Sequence, residues 1–180
     1  MKIQSGYLKG HVFEQPKTSA VRPLSDKVRA AIFDVVGNPE GMTVLDAYAG
    51  SGAAGFEAIS RGALMVDAIE ANARVARVIV ENSRQLELDF NYIIHQVTVE
   101  TWLASPAQTP PEPRYHVIIA DPPYGQILPD VLSRLGAFLL PEGVMCVSHT
   151  SKVELPVLES LGLVRGKIYG DTSLSFYKQK

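Results

Sequence analysis

The sequence predicts an α/β fold: a mostly parallel seven-stranded sheet with helices on both faces, an antiparallel C-terminal strand and an N-terminal β-hairpin arm. Two observations carry this prediction. From residue 42 onward, short apolar runs alternate with stretches of helical periodicity, which is typical of successive βα units. Near the end of the chain, two apolar runs are joined by Gly170-Asp171-Thr172, which favours an antiparallel pair. A chain of 180 residues is long enough for one domain with one substantial core.

The segment that precedes the sheet predicts an arm and a helix. Residues 3–13 alternate loosely between apolar and polar types and are interrupted by two glycines, as in a hairpin or an extended arm. Ser25 suits the N-cap of the helix that follows, and Gly37 suits its end. We therefore expect a basic arm over residues 1–24 and a main domain over residues 25–180.

The elements of the main domain follow from apolar runs and helical stripes taken in chain order. Strands are predicted over residues 43–48, 64–70, 91–97, 115–120, 143–148, 163–169 and 173–178. Helices are predicted over residues 53–60, 73–86, 100–103, 128–138 and 154–161.

Composition limits the class of protein. The chain is 46% hydrophobic and 20% charged, which is ordinary for a soluble globular protein. Cys146 is the only cysteine, so an internal disulfide is excluded, and its apolar neighbours indicate a core thiol. No apolar stretch reaches transmembrane length and no signal peptide is visible, so we expect a cytoplasmic protein with no membrane partner. The four histidines show no ligand spacing, and we expect no bound metal.

Charge is unevenly distributed along the chain. Residues 1–29 hold six basic and two acidic residues, a net charge of +4, whereas the remainder holds 11 basic and 17 acidic residues, a net charge of −6. A basic arm on an acidic body favours an anionic partner such as RNA or DNA. Lysines on a solvated hairpin would produce the same pattern without a partner. The candidate phosphate contacts are Lys9, Arg22, Lys27 and Arg29.

A carboxylate, two prolines and an aromatic ring follow the predicted strand 115–120. In an open α/β sheet the carboxyl end of a strand is where ligands bind. Asp121 can accept a hydrogen bond from an exocyclic amine, and Pro122 and Pro123 fix the backbone beside it. Tyr124 can stack on a planar base. The alternative is a simple strand-terminating turn, because two prolines also end a strand for steric reasons.

A glycine loop follows the first predicted strand. Gly50, Gly52 and Gly55 satisfy the pattern G-x-G-x-x-G between a strand and a helix, and Glu70 closes the next strand. The pattern alone permits a dinucleotide, but Asp46, just before the loop, would repel a pyrophosphate. S-adenosylmethionine carries a sulfonium and an ammonium instead, which an acid attracts. A structural loop cap is the other interpretation of Asp46.

These segments, in this order, resemble the amino-methyltransferases that use S-adenosylmethionine and a [DN]-P-P-[YF] motif. More closely, the chain is similar to the RsmD-type methyltransferases, which methylate the exocyclic N2 of a guanine in small-subunit (16S) ribosomal RNA. The resemblance covers nearly the whole chain, because it extends to residues 6–10, 22–29 and 169–172.

The resemblance implies a Rossmann-like methyltransferase fold, S-adenosylmethionine as cofactor, and ribosomal RNA or a small ribosomal subunit particle as substrate. The implied catalytic residues are Asp121, Pro122, Pro123 and Tyr124. The cofactor-binding residues expected from the loop, the acid and the end of the third strand are Asp46, Tyr48, Ala49, Gly50, Ser51, Gly52, Glu70, Ala71, Thr98 and Val99.

The chain departs from the family pattern at three places, of which Tyr48, where phenylalanine or leucine is frequent, is a mild change. Ser148-His149-Thr150 stands where relatives often have a glutamate after the fifth strand, and Ala30-Ala31 stands where a glutamate is usual. The missing acids leave the exact target nucleotide open. Other functions also stay open: methylation of a DNA adenine or cytosine amine, a non-catalytic RNA-binding module, and, more distantly, a dinucleotide oxidoreductase. We expect a monomer.

Overall fold

The computed structural model describes residues 1–18, 24–108, 111–123, 128–155 and 157–180. Its centre is a seven-stranded sheet in the spatial order β3-β2-β1-β4-β5-β7-β6. The strands are β1 (Thr43–Asp46), β2 (Met65–Ile69), β3 (Tyr92–His95), β4 (Tyr115–Ala120), β5 (Leu139–Thr150), β6 (Leu161–Tyr169) and β7 (Thr172–Gln179). The helices are α1 (Asp26–Val36), α2 (Ala53–Ser60), α3 (Ala73–Gln85), α4 (Val99–Ala104) and α5 (Pro129–Gly136), with a 3₁₀ turn at Pro106–Gln108.

The predicted fold class is confirmed. Strands β1 to β5 pair in parallel, and β7 is antiparallel to both of its neighbours, β5 and β6. The chain leaves β1 toward β2 on one side and leaves β4 toward β5 on the other, although β1 and β4 are neighbours. This reversal of direction opens a crevice at the carboxyl ends of β1 and β4, where ligands bind in sheets of this kind.

Two hydrophobic cores cover the two faces of the sheet. Alternating residues of each strand point to opposite faces, so Val44 of β1 joins the core under α1, α2 and α3, whereas its neighbour Leu45 joins the core under α4 and α5. Cys146 is fully buried in the first of these cores, which confirms its interpretation as a core thiol. None of the helices that the structure describes is long and apolar enough to cross a membrane.

The N-terminal hairpin is confirmed, and it is fastened along α2. Lys2 and Val12 form its antiparallel bridge. At its tip, the Tyr7 N–H donates to the Ser60 carbonyl at 2.8 Å. Gly6 is required there, because its φ is +83° and an added Cβ would lie 1.6 Å from the Ser60 carbonyl oxygen. The tip therefore lies at the C-terminal end of α2.

One predicted helix is wrong. The segment 154–161 shows apolar residues at helical spacing, but its described residues form turns and irregular chain, and Leu161 begins β6. Leu158 and Leu161 are buried because they pack into the second core, not because they share a helix face. The proline at position 156 disfavours a helical conformation for the residue before it, a signal that the apolar spacing obscured.

Candidate active site

A cleft of about 740 Å³ opens at the carboxyl ends of the strands. This volume lies within the range of small-molecule and cofactor sites. Its lining comes from the loops after β1 to β4, Ser148 near the end of β5, the first turn of α1 and the β6–β7 turn. Of the predicted site residues, those that line it are Lys27, Asp46, Tyr48, Ala49, Gly50, Ser51, Glu70, Ala71, Thr98, Val99, Asp121, Pro122 and Pro123.

The sheet order divides this cleft into two halves. Gly50, Glu70 and Thr98 follow β1, β2 and β3, so they line the half that we call the glycine-loop half. The opposite half lies over β5, β7 and β6, and we call it the β6 half. Asp121 follows β4, between the two. A ligand bound in one half can therefore contact a ligand bound in the other half, and this contact would lie beside Asp121.

The glycine loop is held in place by two carboxylates. Asp46 is buried and accepts a hydrogen bond from the Gly55 N–H at 3.2 Å. Glu70 accepts one from the Gly50 N–H at 3.0 Å and one from the Asn72 N–H at 2.7 Å. Each carboxylate oxygen of Glu70 keeps a second lone pair, so the side chain can still accept hydroxyl donors from a ligand.

Gly52 and Gly55 are each required to be glycine, but for different structural reasons. Gly52 is the N-cap of α2 with φ +76°, a left-handed conformation that disfavours residues with a Cβ. At Gly55 an added Cβ would lie 2.6 Å from the Tyr92 ring, so this glycine lets α2 pack closely on β3. Gly52 itself is not among the residues that line the cleft.

Burial makes Asp46 an unusual acid. Desolvation is the main cause that raises its pKa to about 7, the hydrogen bond from Gly55 opposes this, and the charges of Asp121 and Glu70 add to it. Burial likewise raises the pKa of Glu70 above its usual value. Asp121 and Glu70 thus each repel a negative charge on Asp46, and a cationic ligand bound beside these three carboxylates would relieve that repulsion.

Comparison with known proteins gives one family for the whole chain. The family described as conserved hypothetical protein 95, which includes the RsmD proteins, matches residues 1–178. The chain belongs to the RsmD family. YlbH of Bacillus subtilis is 30% identical over 185 residues, covering 100% of both chains. The "Ribosomal RNA small subunit methyltransferase D" of Escherichia coli K12 is 26% identical, covering 100% of this chain and 90% of its own.

Solved structures agree on the fold. The yhhF protein of Escherichia coli superposes with a TM-score of 0.85 at 24% identity, covering 100% of this chain and 98% of its own. At this identity the likeness concerns the fold alone. It supports the same conclusion as the strand order, that this RsmD-family chain has a Rossmann-like methyltransferase fold.

The carboxylates of the cleft fit the cofactor of the family, S-adenosylmethionine. This ligand carries a sulfonium and an ammonium, and the acids Asp46, Glu70 and Asp121 line one cleft with the glycine loop. The same three acids would repel the pyrophosphate of a dinucleotide. The individual cofactor contacts predicted for residues such as Thr98 and Val99 stay predictions. Among the described residues, no group of three or more metal-ligating side chains is close enough to hold a metal ion.

The four basic residues proposed as phosphate contacts have different surroundings. Lys27 lines the cleft, and Lys9 lies on the hairpin tip. Arg29 is fully buried and pairs with Asp26 at 2.8 Å, so the prediction that it contacts an RNA phosphate is wrong. Arg22, like Tyr124 of the catalytic tetrapeptide, lies outside the described residues.

Apart from Lys27, a predicted phosphate contact, the residues of the β6 half of the cleft were given no role in the site from sequence. Ser148, Tyr169, Asp171 and Thr172 line it together with Lys27. The segment 169–172 contributed to the family resemblance, but its distance along the chain from the glycine loop gave no indication that it faces the same cleft. The β5–β7 register, which pairs Thr150 with Thr172, brings it there.

The raised pKa of Asp46 predicts a pH-dependent stability. Between pH 4 and 7 the folded protein holds a proton on Asp46 that the unfolded chain has released, so the free energy of unfolding falls as pH rises, by about 1.4 kcal/mol per unit at most. Asp46→Asn removes this cost. We expect the variant to exceed the wild type by a few kcal/mol at pH 8 and to match it near pH 4, in urea unfolding monitored by circular dichroism. If the free energies of unfolding of the variant and the wild type differed equally at pH 4 and pH 8, the raised pKa of Asp46 would be contradicted.

Proposed function

We propose that this chain transfers the methyl group of S-adenosylmethionine to the exocyclic N2 amine of a guanine in small-subunit ribosomal RNA. The observation that carries the proposal is that Asp121, Pro122 and Pro123 line the same cleft as Asp46, Gly50 and Glu70. A carboxylate suited to an amine therefore stands beside a loop suited to a sulfonium. The name of the Escherichia coli relative supports ribosomal RNA of the small subunit as the substrate class.

In this proposal Asp121 orients the amine. The lone pair of guanine N2 is delocalised into the ring, which makes this nitrogen a poor nucleophile. A hydrogen bond from N2–H to the Asp121 carboxylate, with a second to the Pro122 carbonyl, would hold the nitrogen in the geometry of attack. Tyr124 would stack on the unstacked base. Asp121 need not be a strong base, because the amine becomes acidic once it is methylated.

The glycine-loop half would hold the methyl donor. Glu70 would accept hydrogen bonds from the ribose hydroxyls of the cofactor. Asp46 would face its sulfonium and ammonium, and Thr98 and Val99 would contact its adenine. The cofactor supplies an electrophilic methyl group on a good leaving group, so the chain needs no covalent nucleophile of its own. Its own contribution is to bind, to orient and to exclude water from the reacting atoms.

The hairpin tip would contact RNA away from the target base. The residues of α2 that line the cleft are at its N-terminal end, whereas the tip lies at its C-terminal end. The 8 residues of α2 span about 12 Å, so Lys9 would meet a phosphate several nucleotides away. We propose a substrate that extends past the cleft and a protein that acts as a monomer.

The test is to locate the methyl group. The protein is incubated with labelled S-adenosylmethionine in three separate reactions, which contain unmodified small-subunit ribosomal RNA, small-subunit particles or DNA. We expect label in one of the two RNA samples, and mass mapping of nuclease fragments should identify N2-methylguanosine. Label in DNA, or on an adenine or cytosine amine, would replace this proposal with the other amino-methyltransferase function. Cofactor binding without transfer to any of them would favour a non-catalytic RNA-binding module.

A further inference from the structure

Lys27 lies in the cleft and is held there by an aromatic ring. It belongs to the first turn of α1, and its ammonium is 5.8 Å from the centroid of the Tyr169 ring. This distance is within the range of a cation–π interaction. Tyr169 is half-buried and lies at the end of β6. The contact draws the Lys27 side chain toward the β6 half of the cleft.

This position separates Lys27 from the glycine loop. Tyr169 ends the edge strand β6, and β4, β5 and β7 lie between β6 and β1 in the sheet. At about 4.8 Å per strand, the end of β6 is about 19 Å from the end of β1 across the sheet. Asp121 follows β4, so it lies between the glycine loop and the Lys27–Tyr169 pair. The ammonium therefore faces the space where the methyl acceptor would lie.

The ammonium has no acidic partner among the residues that the structure describes: none of their carboxylates forms a salt bridge with Lys27. The nearest acid on its own helix, Asp26, is engaged by Arg29 at 2.8 Å. The N-terminal end of α1 adds its own partial positive charge beside Lys27. Asp171 also lines the β6 half but forms no salt bridge with Lys27, so this wall of the cleft offers the ammonium as a donor to an acceptor on a ligand.

We infer that Lys27 reads the target base itself: its ammonium donates to O6 and N7 of the guanine whose N2 faces Asp121. This inference rests on the proposed function. Guanine presents two adjacent acceptors, O6 and N7, on one edge, and lysine is one of the side chains that pair with them. Adenine presents an amine in place of O6, which an ammonium repels. Lys27 would therefore select guanine, and the protein would not need the acids that this chain lacks after β5 and in α1.

Tyr169 is the positioning residue in this arrangement. A cation–π contact at an exposed site contributes about 0.5–1 kcal/mol, which is enough to favour one placement of a flexible lysine. The backbone behind it is fixed, because the Ser151 N–H donates to the Asp171 carbonyl at 2.9 Å. The tip of the β6–β7 turn is thereby tied to the end of β5.

The experiment compares RNAs that carry guanine or 2-aminopurine at the target position. 2-Aminopurine keeps the 2-amino group and N7 but lacks O6. Dissociation constants are measured with S-adenosylhomocysteine bound, so that the measurement does not depend on turnover. We expect the wild type to prefer the guanine RNA about tenfold or more, and Lys27→Met to lose most of that preference. Tyr169→Leu should reduce it about two- to fivefold and Tyr169→Phe should retain it.

Lys9→Met is the matched control. It removes the same charge at the hairpin tip, so we expect weaker binding of both RNAs, a smaller salt dependence and an unchanged preference. If Lys27→Met behaves in the same way, Lys27 is a phosphate contact and the inference is overturned. It is also overturned if Lys27→Met weakens binding of S-adenosylmethionine alone, since the ammonium would then serve the cofactor carboxylate.

Failure of the proposed function has a different signature. Wild-type reactions on the guanine RNA are analysed for N2-methylguanosine in the same series. If that product forms and the wild type shows no preference for guanine over 2-aminopurine, only the role of Lys27 fails. If that product does not form, the proposed function fails.

Discussion

Asp121→Ala is expected to lower the rate of methyl transfer by at least about 10³-fold while leaving S-adenosylmethionine binding measurable by calorimetry. The carboxylate stands at the end of β4, between the two halves of the cleft, and its charge already acts on Asp46. In the proposed mechanism its removal leaves the Pro122 carbonyl as the single acceptor for the amine, and one hydrogen bond does not hold the nitrogen in the geometry of attack. The cofactor keeps Glu70, Asp46 and the glycine loop.

Asp121→Asn is the informative companion. It keeps a carbonyl oxygen that can accept the N2–H hydrogen bond and removes only the charge. If Asp121 acts by orienting the amine, the asparagine variant should stay within about tenfold of the wild type, and rates are compared in single-turnover reactions with enzyme in excess over RNA. Equal inactivity of both variants would show that the negative charge, and not the hydrogen bond, is required. Full activity of the alanine variant would remove Asp121 from the mechanism.

The fold was predictable from sequence where the pattern was purely local. The strand that carries the tetrapeptide, Tyr115–Ala120, and the helix Ala53–Ser60 have the predicted bounds. β5 is longer than predicted because its chain continues through Pro141, Glu142 and Gly143, which have the composition of a turn. Its pairing with β4 absorbs the extra residues in an irregularity between Tyr115 and Val117. Glu142 does take a turn-like φ of +65°, but the sequence does not show that Leu139 and Val144 on either side of the turn residues both pair with β4.

The site was predictable for one half of the cleft and not for the other. The glycine loop and the tetrapeptide are recognisable by their residue types, and each directly follows a predicted strand. Because the carboxyl ends of parallel strands meet at one edge of the sheet, the sequence predicts that the two segments lie together. Tyr169 reaches the cleft only because β7 turns back antiparallel against β5. A pairing between strands so distant in sequence depends on the whole fold. Periodicity in one segment therefore does not reveal it.

The buried Arg29 shows how charge alone misleads. Counted as part of a basic arm it favours RNA binding, but it shares a face with Ile32 and Phe33, three and four residues later, and all three are buried. That spacing was visible in the sequence. Its buried partner Glu57 was not visible in the sequence, because Glu57 lies in α2, a helix in which every residue is buried.

Glu57 joins three parts of the chain through one buried carboxylate. It lies 3.6 Å from the Arg29 Nε of α1 and 3.0 Å from the Arg61 Nε after α2, and it accepts a hydrogen bond from the Gln4 N–H of the hairpin at 2.8 Å. Its side chain and that of Arg29 are each only 1% exposed. Removing Glu57 leaves the buried Arg29 with the exposed Asp26 as its remaining acidic partner, and breaking a buried pair costs about 3–5 kcal/mol.

We therefore expect Glu57→Ala to lower the free energy of unfolding by about 3–5 kcal/mol, measured by urea unfolding with Trp102, the single tryptophan, as the fluorescent reporter. Asp26→Ala is the control, because this partner of Arg29 is 62% exposed and its loss should cost about 1 kcal/mol or less. The double variant Arg29→Met, Glu57→Met should recover most of the loss, since it removes both fully buried charges and leaves only Asp26 and Arg61, which reach solvent. If the double variant instead loses as much as the sum of its two single variants, the pair is not coupled. A Glu57→Ala variant as stable as the wild type would mean that water reaches Arg29, and its burial could no longer be the reason to exclude it from RNA contact.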